Sequence, residues 1–175
     1  MSVTDFEVRE HVAWITMNRP EVMNAMNAQL RYELSQSFDE VERNDDIWIA
    51  VLTGAGDHAF SSGVDLKQRS LSLETTPDQL HEWEEMRAAT TNLTERWNFP
   101  KPVIAKVNGY ALGGGMEIAL ACDIIVAAEH AEFGLPEPLR GRMAGWGGVH
   151  RLPRQIGLKP AMGYLLTGRH IPAPR

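Results

Sequence analysis

Two glutamates and three turn-forming segments are the parts of this sequence whose residue types and spacing could do chemistry. The longest segment, VNGYALGGGMEIALACD (107–123), places Gly113, Gly114 and Gly115 between a strand-like stretch and an apolar, helix-like one. Glycines at such a junction let a ligand approach the backbone closely. A helix start adds unpaired N–H groups and a partial positive charge, which together make an anion site. The run does not fit G-x-G-x-x-G, because Ile118 stands at the last glycine position, so a dinucleotide fingerprint is disfavoured. Glu117 falls in the first turn of the expected helix. Taken alone, it would do no more than favour the helix dipole, worth about 0.3–1 kcal/mol.

The second segment, AFSSGVDLK (59–67), follows an apolar run and a turn. It is not a G-x-S-x-G nucleophile elbow, so Ser61 and Ser62 are weak nucleophile candidates. Taken alone it is a strand-end turn leading into a helix, with Gly63 supplying backbone freedom. The third segment, AEFGLPE (131–137), holds Glu137 between Pro136 and Pro138, which stiffen its backbone. A lone loop glutamate is ordinarily a solvated carboxylate. Gly141, Gly145, Gly147 and Gly148 follow, a tight loop suited to lie near something bulky.

The elements that must position these residues alternate between strand and helix, which predicts an α/β fold. Residues 6–8 and 11–17 read as strands, with Val12, Trp14 and Thr16 on one side of the second. Asn27 is a helix N-cap, and Leu30, Leu34, Phe38 and Val41 give the following helix an apolar stripe that ends at residues 44–46. The apolar run 47–52 predicts a strand covered on both faces, and 53–56 a turn. The polar stretch 69–78 reads as a mobile loop. Residues 79–97 read as a helix burying Leu80, Trp83, Met86, Leu93 and Trp97. Trp83 and Met86 could also line a ligand pocket, though core packing is the stronger reading. Strands are expected at 103–107 and 124–127, a glycine-rich turn at 109–115, and helices at 116–122, 147–151 and 160–166.

Composition fits one globular domain over residues 1–175: 43% of the residues are hydrophobic and 23% charged. The net charge of −6 argues against a nucleic-acid partner but allows a small basic patch for a phosphate-bearing ligand. One cysteine, Cys122, leaves no internal disulfide, and no His-x-x-x-His pair suggests zinc. No apolar run reaches the ~18 residues of a membrane span. The acidic N-terminus lacks a signal-peptide pattern, so the expected compartment is the cytoplasm.

Together the segments resemble the enoyl-CoA hydratase/isomerase (crotonase) family along essentially the whole chain. The resemblance rests on Asn18-Arg-Pro20 with Asn24-Ala25, AFSSGVDLK, KPVIAKVNGYALGGGMEIALACD, AEFGLPE, GGVHRLPRQIG and LLTGRHI, in order and spacing. It implies a crotonase-like spiral of ββα units and an oxyanion hole made by the N–H groups of Val64 and Gly114. It also implies catalytic roles for Glu117, orienting and deprotonating water, and Glu137, protonating the α-carbon. Lys67, Met23, Gly63, Gly113 and Gly145 fall at substrate-binding positions. The reaction implied is hydration of a 2-enoyl-CoA to a 3-hydroxyacyl-CoA. Alternatives are enoyl-CoA isomerisation, carnitinyl-type dehydration, acyl-CoA hydrolysis, or a non-catalytic acyl-CoA-binding relative. No separate cofactor is implied, since coenzyme A belongs to the substrate. The partner is an acyl-CoA, with no nucleic acid and no membrane. Family members continue past the position of Arg175 and form trimers or dimers of trimers, so this chain is expected to lack a C-terminal helical part. His58 stands where many relatives have a lysine near the coenzyme A phosphates. Arg140, Arg142, Met143 and Ala144 replace a more apolar stretch, which allows a polar or acidic acyl group.

Overall fold

The computed structural model describes residues 2–67 and 76–174. Two sheets form the frame. The larger has the order β1 (Thr4–Arg9), β2 (Val12–Met17), β3 (Ile49–Gly54), β5 (Val103–Val107), β7 (Ile124–Ala127); only the β1–β2 pairing is antiparallel. The smaller has the order β4 (Ala59–Ser61), β6 (Tyr110–Leu112), β8 (Glu132–Gly134), β9 (Ile171–Pro172). The chain climbs in a spiral. Each turn gives one strand to the large sheet and the next strand to the small one, β3 then β4, β5 then β6, β7 then β8, before a helix returns it. This is the ββα spiral that the resemblance implies.

Helix α1 (Ala28–Arg43) begins where expected. Asn27 accepts a hydrogen bond from the Leu30 N–H at 2.8 Å, satisfying one orphan donor of the first turn. Leu30, Leu34, Phe38 and Val41 are all buried against the large sheet, each worth about 1.5–3 kcal/mol of transfer free energy. In β2 the core takes Ala13, Ile15 and Met17; the other face, Val12, Trp14 and Thr16, is half-buried. Helix α3 (Gly114–Ala121) is apolar nearly all round and buried along most of its length, as such a helix must be. Met116 and Leu120 join Leu135, Leu152 and Ala161 in a second cluster beneath α4 (Gly148–Ile156) and α5 (Leu158–Thr167). Those two helices are each longer than the expected 147–151 and 160–166.

Several expectations are corrected. Of the stretch 69–78, residues up to 75 lie outside the described ones. From Thr76 onward it is the capping box and first turn of α2 (Pro77–Ala88). The helix expected over 79–97 stops early. Thr90 Oγ1 donates to Met86 O at 2.6 Å, and Asn92 with Glu95 caps a separate 3₁₀ turn, Leu93–Glu95. Leu93 is buried, Trp83 and Met86 are half-buried, and Leu80 is exposed. Trp97 is 76% exposed, with the Arg151 guanidinium over its ring. The turn at 109–115 contains the strand β6, and α3 starts at Gly114 rather than Met116. Among the described residues no helix is long and apolar enough to cross a membrane.

Candidate active site

The small sheet explains why three segments far apart in sequence meet. Strands β4, β6 and β8 are adjacent and parallel, so the chain leaves all three at the same end. The segments that follow are Ser62-Gly63-Val64, Gly113-Gly114, and Leu135-Pro136-Glu137. Gly63 is where the first two touch. Its φ is +91°, a conformation that L side chains rarely adopt, and a Cβ there would lie 2.7 Å from Leu112 O and 3.0 Å from Gly114 N. Gly115 presses α3 onto β4 in the same way, since a Cβ would stand 2.2 Å from Ser61 O.

A further segment locks the first turn. Asn24, fully buried, donates through Nδ2 to Ala59 O at 2.8 Å and Ala55 O at 3.1 Å, and accepts from the Arg19 N–H at 2.9 Å. Ser61 Oγ donates to Asn24 O at 2.9 Å and accepts from the Gly63 N–H at 3.1 Å. Ser61 is thus a brace for the turn. Arg19 pairs with Asp65 at 3.0 Å, and the Met26 N–H donates to Gly63 O at 2.8 Å. The N-terminal turn therefore fixes the backbone on both sides of Val64.

One cavity of about 580 Å³ is lined by Val64, Gly113, Gly114, Glu117, Glu137 and Gly145, among others. Neither the Val64 nor the Gly114 N–H has a hydrogen-bond acceptor among the described residues. Gly114 opens α3, so its N–H belongs to the unpaired first turn, at the positive end of the dipole.

Both carboxylates are desolvated on this cavity. Glu117 is 3% exposed and accepts from the Gly148 N–H at 3.0 Å, at the start of α4. Burial pushes its pKa up; the Gly148 N–H opposes this and the nearby Glu137 adds to it. Gly148 has to be small, since a Cβ would stand 3.2 Å from Glu117 Cγ and 2.9 Å from Leu135 Cδ1. Glu137 opens a 3₁₀ turn, Glu137–Arg140, rather than sitting in a plain loop. Its pKa is also raised by burial, against its own backbone N–H and the charge of Arg142. Its Oε1 faces Gly113, where a Cβ would be 3.0 Å away. Its Oε2 is buried with no hydrogen-bond partner among the described residues.

Residues 7–174 match the family model described as enoyl-CoA hydratase/isomerase. The chain belongs to the enoyl-CoA hydratase/isomerase family. It is 43% identical over 164 residues to a Bacillus subtilis protein named as an enoyl-CoA hydratase/isomerase, covering 94% of this chain and 61% of that one. It is 42% identical over 175 residues to (E)-benzylidenesuccinyl-CoA hydratase from Thauera aromatica, covering 99% of this chain and 65% of the relative. Among solved structures, an enoyl-CoA hydratase from Mycobacterium tuberculosis superposes with a TM-score of 0.85 at 38% identity, over 100% of this chain and 65% of that one. The chain thus spans somewhat under two thirds of the length of these relatives.

Within this enoyl-CoA hydratase/isomerase core, not every residue singled out in the sequence reaches the cavity. Gly63 lies behind the lining as a spacer. Met23, left-handed at φ 53° and 47% exposed, and Lys67, also exposed, are not among the lining residues; nor is His58, which is exposed. Sequence reasoning missed Arg31, which lines the cavity, and Arg151, whose charge acts on Glu117. Arg31 falls among the polar positions of an amphipathic helix, so nothing in the pattern marked it. Trp146, which follows Gly145 in the glycine-rich loop, forms a wall: a Cβ on Gly114 would meet its ring at 2.8 Å.

Proposed function

We propose that the full-length protein hydrates a 2-enoyl-CoA to a 3-hydroxyacyl-CoA. The observation that carries this reading is that two desolvated carboxylates and two N–H groups, without acceptors among the described residues, line one cavity. The Val64 and Gly114 N–H groups would receive the thioester oxygen and stabilise the enolate formed as water adds. Each such donor is worth about 3–4 kcal/mol by comparison with other oxyanion holes.

The division of labour follows from hydrogen bonding. Glu117 has an N–H donor and the nearby charge of Arg151, both of which favour its ionised form. It takes a proton from water as the hydroxyl bonds to C3. Glu137 is influenced in the same direction, toward ionisation, by its own backbone N–H and Arg142, but its Oε2 is buried with no hydrogen-bond partner among the described residues, which favours its protonated form. Glu137 gives its proton to C2, and the proton gained by Glu117 returns to Glu137 before the next turnover. Because the two carboxylates share one cavity, their titrations belong to the pair. The reaction is redox neutral, and coenzyme A enters only as part of the substrate. Relatives named as hydratases, at about 40% identity, support the same reaction type.

The test is the loss of conjugated thioester absorbance when purified full-length protein meets short, long, branched and polar 2-enoyl-CoA thioesters. At least one should be hydrated to a 3-hydroxyacyl product. Conversion of 3-enoyl to 2-enoyl thioesters with no hydration of any member would replace this reading with isomerisation.

A further inference from the structure

The cavity contains a cation that the proposed hydration does not use. Arg31, on α1, lines it together with Val64, Gly114 and Trp146. The side chain is half-buried. The ion pairs that arginines form among the described residues take up Arg9, Arg19 and Arg96, not Arg31. A buried guanidinium is ordinarily matched by a carboxylate, because desolvation of an unmatched charge is costly. Burial lowers its pKa, with Glu95 opposing this and Arg87 adding to it.

The side chain is held, and held in a particular way. Its Nε donates to Asn92 Oδ1 at 3.2 Å, while Asn92 Nδ2 donates to Glu95 Oε2 at 2.8 Å, so the amide oxygen is turned toward the arginine. The guanidinium lies over the Trp146 indole, 4.9 Å from the ring centroid. One face is stacked and Nε is engaged. The two Nη groups are left at the outer edge, with no acceptor among the described residues. That edge is the part of an arginine that binds a planar carboxylate through two parallel hydrogen bonds. The six-membered ring of the same indole lies against Gly114, where a Cβ would meet Cζ3 at 2.8 Å. One ring therefore separates the guanidinium from an N–H assigned to the thioester oxygen. Arg140 and Arg142 also line the cavity, but both are exposed, so water and salt screen them more.

We propose that the acyl group of the substrate carries a free carboxylate a few carbons from the thioester, and that Arg31 is the residue that recognises it. The proposal rests on the cavity being the acyl-CoA site. The same edge could instead hold a phosphate of coenzyme A, and the experiment separates the two anions.

Binding of two unreactive saturated thioesters to the full-length protein is measured by calorimetry: glutaryl-CoA, and pentanoyl-CoA, which has the same carbon count without the carboxylate. Wild type should bind glutaryl-CoA at least 10-fold more tightly. Arg31→Gln should bring the two affinities within about threefold of each other by weakening glutaryl-CoA alone, and Arg31→Lys should keep part of the preference. Unchanged pentanoyl-CoA binding by the variants serves as their folding control. A wild-type ratio below threefold overturns the proposal without any variant. Equal weakening of both thioesters by Arg31→Gln overturns it in favour of a coenzyme A phosphate. A protein that shows the preference but hydrates nothing keeps the role of Arg31 and loses the reaction; one that hydrates without the preference does the reverse.

Discussion

Replacing Glu117 by glutamine should lower activity and raise stability together. The side chain is 3% exposed, and its hydrogen bond from the Gly148 N–H at 3.0 Å can be kept by the amide oxygen of glutamine. The substitution therefore removes the charge and the base with little change of shape. Loss of a positioned general base costs 10²–10⁴-fold, or about 3–5 kcal/mol in the barrier to hydration. An isomerase side activity on a 3-enoyl-CoA, which needs only one carboxylate to shuttle a proton, should suffer less. The stability effect has the opposite sign. The folded-state pKa of Glu117 lies above the ordinary 4.5, so the folded protein holds this proton more tightly than the unfolded chain does. By linkage its contribution is fully present below the unfolded pKa and is lost as pH rises through the folded one. The gain in melting temperature of Glu117→Gln over wild type should be near zero under acid conditions below 4.5, grow as pH rises, and level off above the folded pKa. The assays are thioester absorbance at saturating substrate and thermal denaturation across pH, both on the full-length protein. Hydration within about threefold of wild type would refute the base assignment. A loss of stability of the 0.3–1 kcal/mol expected for a helix-end charge would return Glu117 to that plain role.

Glu137→Gln should cut hydration and any isomerisation alike, by at least about 10²-fold, because both reactions pass a proton at the α-carbon; a variant that isomerises normally would exclude Glu137 from that step. Gly63→Ala forces a left-handed φ and sets a Cβ against Leu112 O and Gly114 N, so the folding free energy should fall by about 1–3 kcal/mol and turnover with it. An unchanged urea midpoint and rate would mean that the two turns need not touch. Asn24→Ala should cost about 1–3 kcal/mol for each partner left unsatisfied, among them Ala55 O and the Arg19 N–H, while Ala59 O keeps the Asn108 Nδ2 donor at 3.3 Å. Urea unfolding measures it, and a loss under 0.5 kcal/mol would show that water replaces the amide.

Local elements with long, periodic patterns were readable directly in the residues. Asn27 and the spacing of Leu30, Leu34, Phe38 and Val41 specify α1, because capping and a 3.6-residue stripe are written in consecutive residues. The strands near 103–107 and 124–127 and the chemistry-bearing segments were legible for the same reason, and the family resemblance supplied the roles. Three-residue strands were not legible. β4, β6 and β8 are too short to show alternation, yet they are what brings Val64, Gly114 and Glu137 to one end of one sheet. The early stop of α2 at Ala88 was hidden too, because side-chain oxygens of Thr90, Asn92 and Glu95 compete with helix hydrogen bonds that propensity alone would extend. Burial was decided in three dimensions. Ala13, Ile15 and Met17, rather than Val12 and Trp14, face the core, because the side of β2 that meets α1 is set by packing. Arg31 reads as one polar residue of an amphipathic helix. Only the tertiary structure lays it on Trp146 and opens it to the cavity, because its surroundings come from residues 61 and 115 positions further along the chain. The types of the reactive groups are local and can be read from sequence, whereas their desolvation, neighbours and free hydrogen-bonding edges arise from contacts between distant segments.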